Sequence, residues 1–252
     1  MPEPPPGGTT VRPVKPFLLL ATRPEDNAAD DEYEAFLRFA GLDERDLRRV
    51  RLEQAPLATL VGDLRLADWS GILLGGSPFN WSDPDEDKSP VQQRVERDLH
   101  ALLDVVVPAD FAFLGACYGI GTLGTHQGAV VDRRHGEPVG AVAVTLTGTA
   151  RHDPVFGALP EMFEAFVGHK EAVHSLPAHA VRLAGSAGCP VQAFRIGRHV
   201  YATQFHPELD VGGLCTRIEV YRHAGYFHPD EADDLKARAR ASDVRHPPTV
   251  LR

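Results

Sequence analysis

The sequence predicts an α/β fold built on an open, mostly parallel sheet, with a β-rich second half that adds an antiparallel extension. Three observations carry this. Apolar runs at residues 17–22, 71–74 and 111–114 have the length of buried strands. Helical patterns separate them, and that alternation is the mark of parallel strands joined by crossover helices. Beyond residue 126 the texture changes to short strand-like runs.

Taken in order, residues 1–16 are Pro-rich and are expected to form a disordered tail. The run 17–22 is the first strand. Asp30 is a plausible N-cap for a helix in which Tyr33, Phe36, Leu37 and Ala40 recur at helical spacing, closed by Gly41. Residues 48–52 suit a second strand. The run 71–74 ends in Gly75-Gly76-Ser77-Pro78, a turn that lets backbone N–H groups point into a cleft, although an ordinary loop reads the same way. Ser89-Pro90 is a cap followed by proline at the first helical position. Val91, Val95, Leu99, Leu102 and Leu103 then form an apolar stripe that suits packing on a sheet.

The stretch 111–126 organises the chain. Its strand runs into Gly115-Ala116-Cys117-Tyr118-Gly119, a G-x-C-x-G elbow. At such a turn a strand bends sharply into a helix. Side chains two positions either side of the apex would collide, so glycine fits at 115 and 119. The apex side chain stands at a helix N-terminus, where the dipole and unpaired N–H groups favour a thiolate. A cysteine beside a buried strand is more often a small core hydrophobe; the flanking glycines argue against that here. Gly119, Gly121 and Gly124 also spell G-x-G-x-x-G, the dinucleotide fingerprint. The acidic residue expected about 20 residues on, at the end of the next strand, is missing from the run 140–147, and the motif lies mid-chain, so the nucleotide reading is not favoured.

In the second half, 140–147, 163–167, 181–184, 191–196 and 199–205 read as short strands, with Gly197-Arg198 as a hairpin turn. Residues 211–221 turn helical, and 230–241 read as a charged, solvated helix. There is no internal repeat, so one domain over 17–225 is expected, with the Pro-rich tail before it and a helical extension over 226–252. The strand at 199–205 runs into His206-Pro207-Glu208. In extended chain, residues i and i+2 point the same way, so His206 and Glu208 can face one cleft. A cysteine nucleophile needs a base, and the base needs an acceptor to orient it. Cys117, His206 and Glu208 supply those roles.

At 252 residues the chain can bury a large core. A formal net charge of −9 argues against a nucleic-acid surface. No apolar run has the length of a membrane span, and the N-terminus lacks the basic and apolar regions of a signal peptide. The odd set Cys117, Cys189 and Cys215 suits a reducing cytoplasm better than a disulfide framework. The 12 histidines are scattered, without H-E-x-x-H or paired C-x-x-C spacing, so no metal is expected.

The order Gly75-Gly76-Ser77-Pro78, then Gly115-Ala116-Cys117-Tyr118-Gly119, then Phe205-His206-Pro207-Glu208 resembles class I glutamine amidotransferases, and among them the glutaminase domain of GMP synthase and its stand-alone relatives. The likeness runs from about Phe17 to Glu208. It implies a flavodoxin-like fold and a glutaminase that needs no cofactor. By that resemblance Cys117 is the nucleophile, His206 the base and Glu208 its partner, and the N–H groups of Gly76 and Tyr118 form the oxyanion hole. The segment Val167-Gly168-His169-Lys170-Glu171 resembles the substrate-side loop, which puts His169 and Glu171 near the substrate. The family's glutamine-holding Gln, four residues after the nucleophile, is here Gly121. Restoring Gln at 121 is therefore expected to raise glutamine affinity. The substrate implied is glutamine, with ammonia passing to a separate synthase subunit. Two alternatives stand beside it: a cysteine hydrolase of another γ-glutamyl compound, and a non-catalytic regulatory or binding protein.

Overall fold

The computed structural model describes residues 15–252. The expected Pro-rich tail lies almost wholly outside them. In chain order the elements are β1 (Phe17–Ala21), α1 (Asp26–Ala40), β2 (Leu47–Arg51), α2 (Leu57–Val61), β3 (Gly71–Leu74), α3 (Pro90–Val106), β4 (Phe113–Ala116), α4 (Tyr118–His126), β5 (Val130–Asp132), β6 (Glu137–Leu146), β7 (Met162–His169), β8 (Ala172–Ser175), β9 (Val181–Ser186), β10 (Ala193–Ile196), β11 (Val200–Thr203), α5 (Val211–Val220) and α6 (Ala232–Ala241). Nine strands form one open sheet in the order β2-β1-β3-β4-β11-β10-β9-β6-β7. From β2 to β11 every pairing is parallel, and from β11 to β7 every pairing is antiparallel. The predicted α/β sheet with an antiparallel extension is the sheet observed. The parallel part has the 2-1-3-4-5 strand order of flavodoxin-like sheets, with β11 as its fifth strand.

Alternation along the strands divides the core. Leu18 and Leu20 of β1, with Ile72 and Leu74 of β3, pack against α3 and α4 through Val95, Leu99, Leu103, Ile120 and Leu123. Leu19 and Leu73 point to the opposite face, against Phe36 of α1. A further cluster under the antiparallel strands joins Phe163, Phe205, Tyr201 and Val250. The stripe on α3 is as expected except at Val91, which is exposed. Ser89 caps that helix, its Oγ accepting from Gln92 N at 3.1 Å.

One expectation is corrected. α1 begins at Asp26, with Glu25 as its N-cap, so Asp30 lies inside the helix. The extra turn buries Ala28 and Ala29 against the core, and Arg49 holds Asp30 at 2.8 Å. Gly41 does close α1, in the left-handed conformation at φ 67°. In addition, β5 and β8 form a separate two-stranded sheet that the sequence pattern did not reveal.

Candidate active site

Cys117 follows β4 directly and precedes α4. It is one of two non-glycine residues with positive φ among those described, at φ 53° and ψ −93°. The strain is held from both sides. Cys117 N–H donates to Thr203 O on β11 at 2.7 Å, and a Cβ at Gly115 would stand 2.8 Å from Gly119 Cα. The elbow therefore needs glycine at 115 because two backbone segments pass each other there. Of the three glycines of the G-x-G-x-x-G string, 121 and 124 serve close packing, whereas a Cβ at 119 would make only ordinary contact. Cβ atoms at 119, 121 and 124 would meet Leu74 O at 3.4 Å, Trp81 Cδ1 at 3.1 Å and Val173 Cγ2 at 3.1 Å.

His206 and Glu208 leave the end of β11 and turn into the same region. His206 Nδ1 is 2.8 Å from Glu208 Oε1, and both residues are buried. With Glu208 ionised, Nδ1 carries the proton and donates. Burial opposes charge on the imidazole, but Glu208 and the Cys117 sulfur favour it more strongly, and the His206 pKa is raised to about 9. Burial also works to raise Glu208, but the adjoining His206 and Arg217 charges outweigh it and hold the carboxyl well below the usual carboxylate range. Cys117 and His206 line one cavity of about 50 Å³. Cys117 also lines a second of about 20 Å³, with Tyr118, Gly121, His169 and Glu171. Ser77, Gly168 and Tyr226 border both.

The remaining sequence-predicted positions differ in what they do. Gly76 N–H donates to Glu32 Oε1 at 3.2 Å, so this expected oxyanion donor is already committed to a carboxylate. Ser77, next in the chain, lines the cleft instead. The glycine at 76 is required by close approach: a Cβ would lie 2.8 Å from His206 Cε1 and against Arg23. Tyr118 N–H begins α4, in the first turn, where N–H groups have no intrahelical acceptor. His169 is buried with both ring nitrogens engaged, Nδ1 with Glu171 O at 2.8 Å and Nε2 with Glu137 Oε2 at 3.0 Å. Glu171 accepts from Trp81 N–H at 2.9 Å and Ser82 N–H at 2.7 Å. Both residues thus act as struts beneath the cleft. Glu171 pins the loop at 79–82 over α4, and burial raises its carboxyl pKa.

Gly121 is closely packed. A Cβ there would also stand 3.2 Å from Glu171 Oε1. The space beside it is already filled by the Trp81 indole and the Glu171 carboxylate. A side chain there needs the indole and the carboxylate to give way by a few tenths of an ångström, so Gln at 121 is not a simple restoration.

Several residues at the site were not foreseen. Arg23, Glu32 and Arg217 form a buried charged chain: Arg23 Nε to Glu32 Oε1 at 3.0 Å, Arg217 Nη2 to Glu32 Oε1 at 3.3 Å, and Arg217 Nη2 to Glu208 Oε1 at 2.9 Å. Two signals were legible. Arg23 stands at the C-terminal end of β1, on the edge where sites form in open α/β sheets. Arg217 falls on the Leu214, Ile218 and Tyr221 face at helical spacing, the buried face of α5. Glu32 gave no signal, being one of several acids in α1.

A cysteine at a strained strand-to-helix turn, beside a buried histidine–carboxylate pair at the C-terminal edge of a parallel sheet, is the arrangement nucleophilic thiol chemistry uses. The family model described as glutamine amidotransferase class-I matches residues 46–215. The chain belongs to the class I glutamine amidotransferase family. It is 30% identical over 142 residues to a glutamine-hydrolysing GMP synthase subunit of Methanoculleus marisnigri, covering 55% of this chain and 65% of that one. It is 29% identical over 168 residues to the like-named protein of Thermoplasma volcanium, covering 66% and 76%. The chain thus spans just under two thirds of the Methanoculleus protein. The crystal structure of a glutamine amidotransferase from Thermotoga maritima superimposes with a TM-score of 0.66 at 21% identity, covering 90% of this chain and 96% of that one, which places the fold. No helix among the described residues is long and apolar enough to cross a membrane.

Proposed function

We propose that this chain hydrolyses the side-chain amide of glutamine through Cys117, His206 and Glu208, and that the ammonia passes to a separate synthase subunit. The observation that carries the reading is the buried His206–Glu208 pair sharing a cavity with a cysteine held at positive φ. Relatives named as one subunit of a glutamine-hydrolysing GMP synthase support a partner that uses the ammonia.

In this reading the Cys117 thiolate attacks the amide carbon. The oxyanion meets Tyr118 N–H and, because Gly76 N–H is taken by Glu32, a donor from neighbouring Ser77. Each such donor contributes about 3 kcal/mol in well-studied hydrolases. The His206 imidazolium gives its proton to the nitrogen as the C–N bond breaks, which releases ammonia and leaves a γ-glutamyl thioester. Neutral His206 then takes a proton from water as the water attacks. The C–S bond breaks, glutamate departs and the thiolate–imidazolium pair is restored. Glu208 holds the Nδ1–H tautomer throughout.

The test is ammonia release from glutamine by the purified chain, with Cys117→Ala as control. Cys117-dependent release is expected, and loss in the variant should exceed about 10³-fold. Release that survives in the variant would remove Cys117 from the mechanism. The absence of a glutamine-holding side chain at Gly121 favours a second reading, hydrolysis of another γ-glutamyl compound. Turnover of γ-glutamyl peptides without turnover of glutamine would establish it.

A further inference from the structure

We propose that Arg217 is a positioning residue of this site: by sharing the Glu208 carboxylate with His206 and standing against Nδ1, it loosens the hold of the pair on the imidazolium proton. The proposal rests on the reading of Cys117 and His206 as the reacting pair.

The geometry gives Glu208 Oε1 two partners. His206 Nδ1 lies 2.8 Å from it and Arg217 Nη2 lies 2.9 Å from it. Arg217 Nη1 also stands 3.0 Å from His206 Nδ1. Nδ1 already donates to Glu208, so this last approach sets two N–H groups face to face. A guanidinium is never neutral at working pH. It therefore acts on His206 twice, drawing on the carboxylate that steadies the imidazolium and repelling the imidazolium directly.

Arg217 is fixed in that place. Glu32 Oε1 accepts from it at 3.3 Å, and the same oxygen is held by Arg23 Nε at 3.0 Å and Gly76 N–H at 3.2 Å. Arg23 Nη1 in turn donates to Tyr221 OH at 3.1 Å. Titratable groups reach His206 from several elements. Glu208 follows it in the chain, Cys117 comes from the elbow, Arg217 from α5 and Arg23 from the end of β1. Glu32 of α1 stands behind the two arginines, and Tyr221 and Tyr226 close the side after α5. The Glu32 and Glu208 carboxylates are matched by the Arg23 and Arg217 guanidiniums, and two further carboxylates stand at the edge of this frame, Glu25 accepting from Tyr221 OH at 3.0 Å and Asp31 near Arg217. Arg23, Glu32 and Arg217 all lie outside the segment matched by the family, 46–215. The brace thus comes from this chain's own flanks.

The consequence is chemical. In the first half of the reaction His206 must give its proton to the leaving nitrogen. Paired with Glu208 alone it would hold that proton more tightly and be a poorer acid. With Arg217 in place the proton leaves more readily, while Glu208 still fixes the tautomer.

The experiment follows two pH profiles on the full chain: glutamine hydrolysis, and iodoacetamide alkylation of Cys117 read by mass spectrometry. Loss of the His206 proton is reported by the alkaline limb of the first and by the alkaline step of the second, where the thiolate loses its imidazolium partner and its reactivity changes. In Arg217→Met the limb should move up by ~1 pH unit, with kcat/KM reduced below it, and Arg217→Lys should move it back. An Arg217 that only supports the fold lowers the rate at every pH and leaves the limb in place, and that result overturns the proposal. If Arg217→Met does not fold, Glu32→Gln carries the test. It frees Arg217 and Arg23 of their shared carboxylate, so the limb should move down, and an unmoved limb again overturns the proposal. Alkylation separates the two readings. A shifted Cys117 profile without glutamine turnover sinks the glutaminase reading and keeps this one, whereas turnover with a fixed limb does the reverse.

Discussion

At His206 two opposed effects decide the chemistry available near neutral pH. Burial alone would strip the imidazole of its proton; the Glu208 carboxylate and the Cys117 sulfur keep it there, up to about pH 9. In the proposed mechanism, the group that donates to the leaving nitrogen is therefore charged across the neutral range. The sign follows: kcat/KM for glutamine should hold steady through neutral pH and fall as pH rises through about 9, where His206 loses its proton. In Glu208→Gln the imidazolium loses its carboxylate, so the fall should begin at lower pH. The tautomer also loses its anchor, with a loss of about 10²–10⁴ in kcat. A Glu208→Gln profile that coincides with the parent's, scaled or not, would show that the carboxylate does not set the His206 proton. The cysteine, the histidine and the glutamate were all readable in the sequence, because an elbow and an i, i+2 pair are local patterns. The charges that surround them were not. Glu32 and Arg217 meet across 185 positions of chain, and no local pattern reports a contact at that distance.

The elements explain why some glycines in the string after Cys117 cannot be read as a motif. Gly115 and Gly119 belong to the elbow, whereas Gly121 and Gly124 let the loop at 79–82 and β8 approach α4. Trp81 fills the place beside Gly121, its Nε1–H donating to Thr122 Oγ1 at 2.9 Å, its ring stacked between His100 at 4.5 Å and Tyr118 at 6.0 Å. Glu171 fastens the same loop from the other side through two N–H groups. Gly121→Gln should therefore weaken glutamine binding, raise KM, and lower stability by about 1–3 kcal/mol, the usual cost of overfilling a packed site. Steady-state kinetics with a melting curve check this; a lower KM at unchanged melting temperature would mean the loop yields without cost. The long apolar strands and the Ser89-capped helix were legible because period and capping are properties of a short window. The start of α1 was missed by a turn because Ala28, Ala29 and Glu32 are placed by what they pack against, and β5 and β8 are too short to have a period.

At the scale of the whole molecule, the site depends on residues drawn from both ends of the described chain. The parallel half of the sheet delivers Gly76, Cys117 and His206 to one edge. The brace that steadies them runs from the end of β1 to α5. α5 in turn is covered by α6, where Leu235, Ala232 and Ala239 are buried with Leu214 and Ile218. The last turn, Pro247–Leu251, packs on α1 and β7 and puts Val250 into the cluster with Phe163 and Phe205. Tyr226, at the head of this segment, borders both cavities at Cys117, and Lys170 Nζ stands 4.3 Å from its ring centre. The sequence pattern suggested a solvated helical extension over 226–252, since α6 carries charge on most of its surface. Its few apolar residues are nonetheless placed where α5 and the antiparallel strands need cover. Deleting 226–252 should therefore act on the fold and the site together. Leu235 and Val250 alone account for about 3–6 kcal/mol of lost burial. With α5 uncovered, Arg217 is no longer held against Glu208. The melting temperature should drop by about 6–24 °C, at about 2–4 °C per kcal/mol in a domain of this size, and kcat should fall with it. A truncated chain that melts with the parent and keeps its glutamine turnover would make the segment a separable appendage, and would place the support of α5 wholly within residues 15–225.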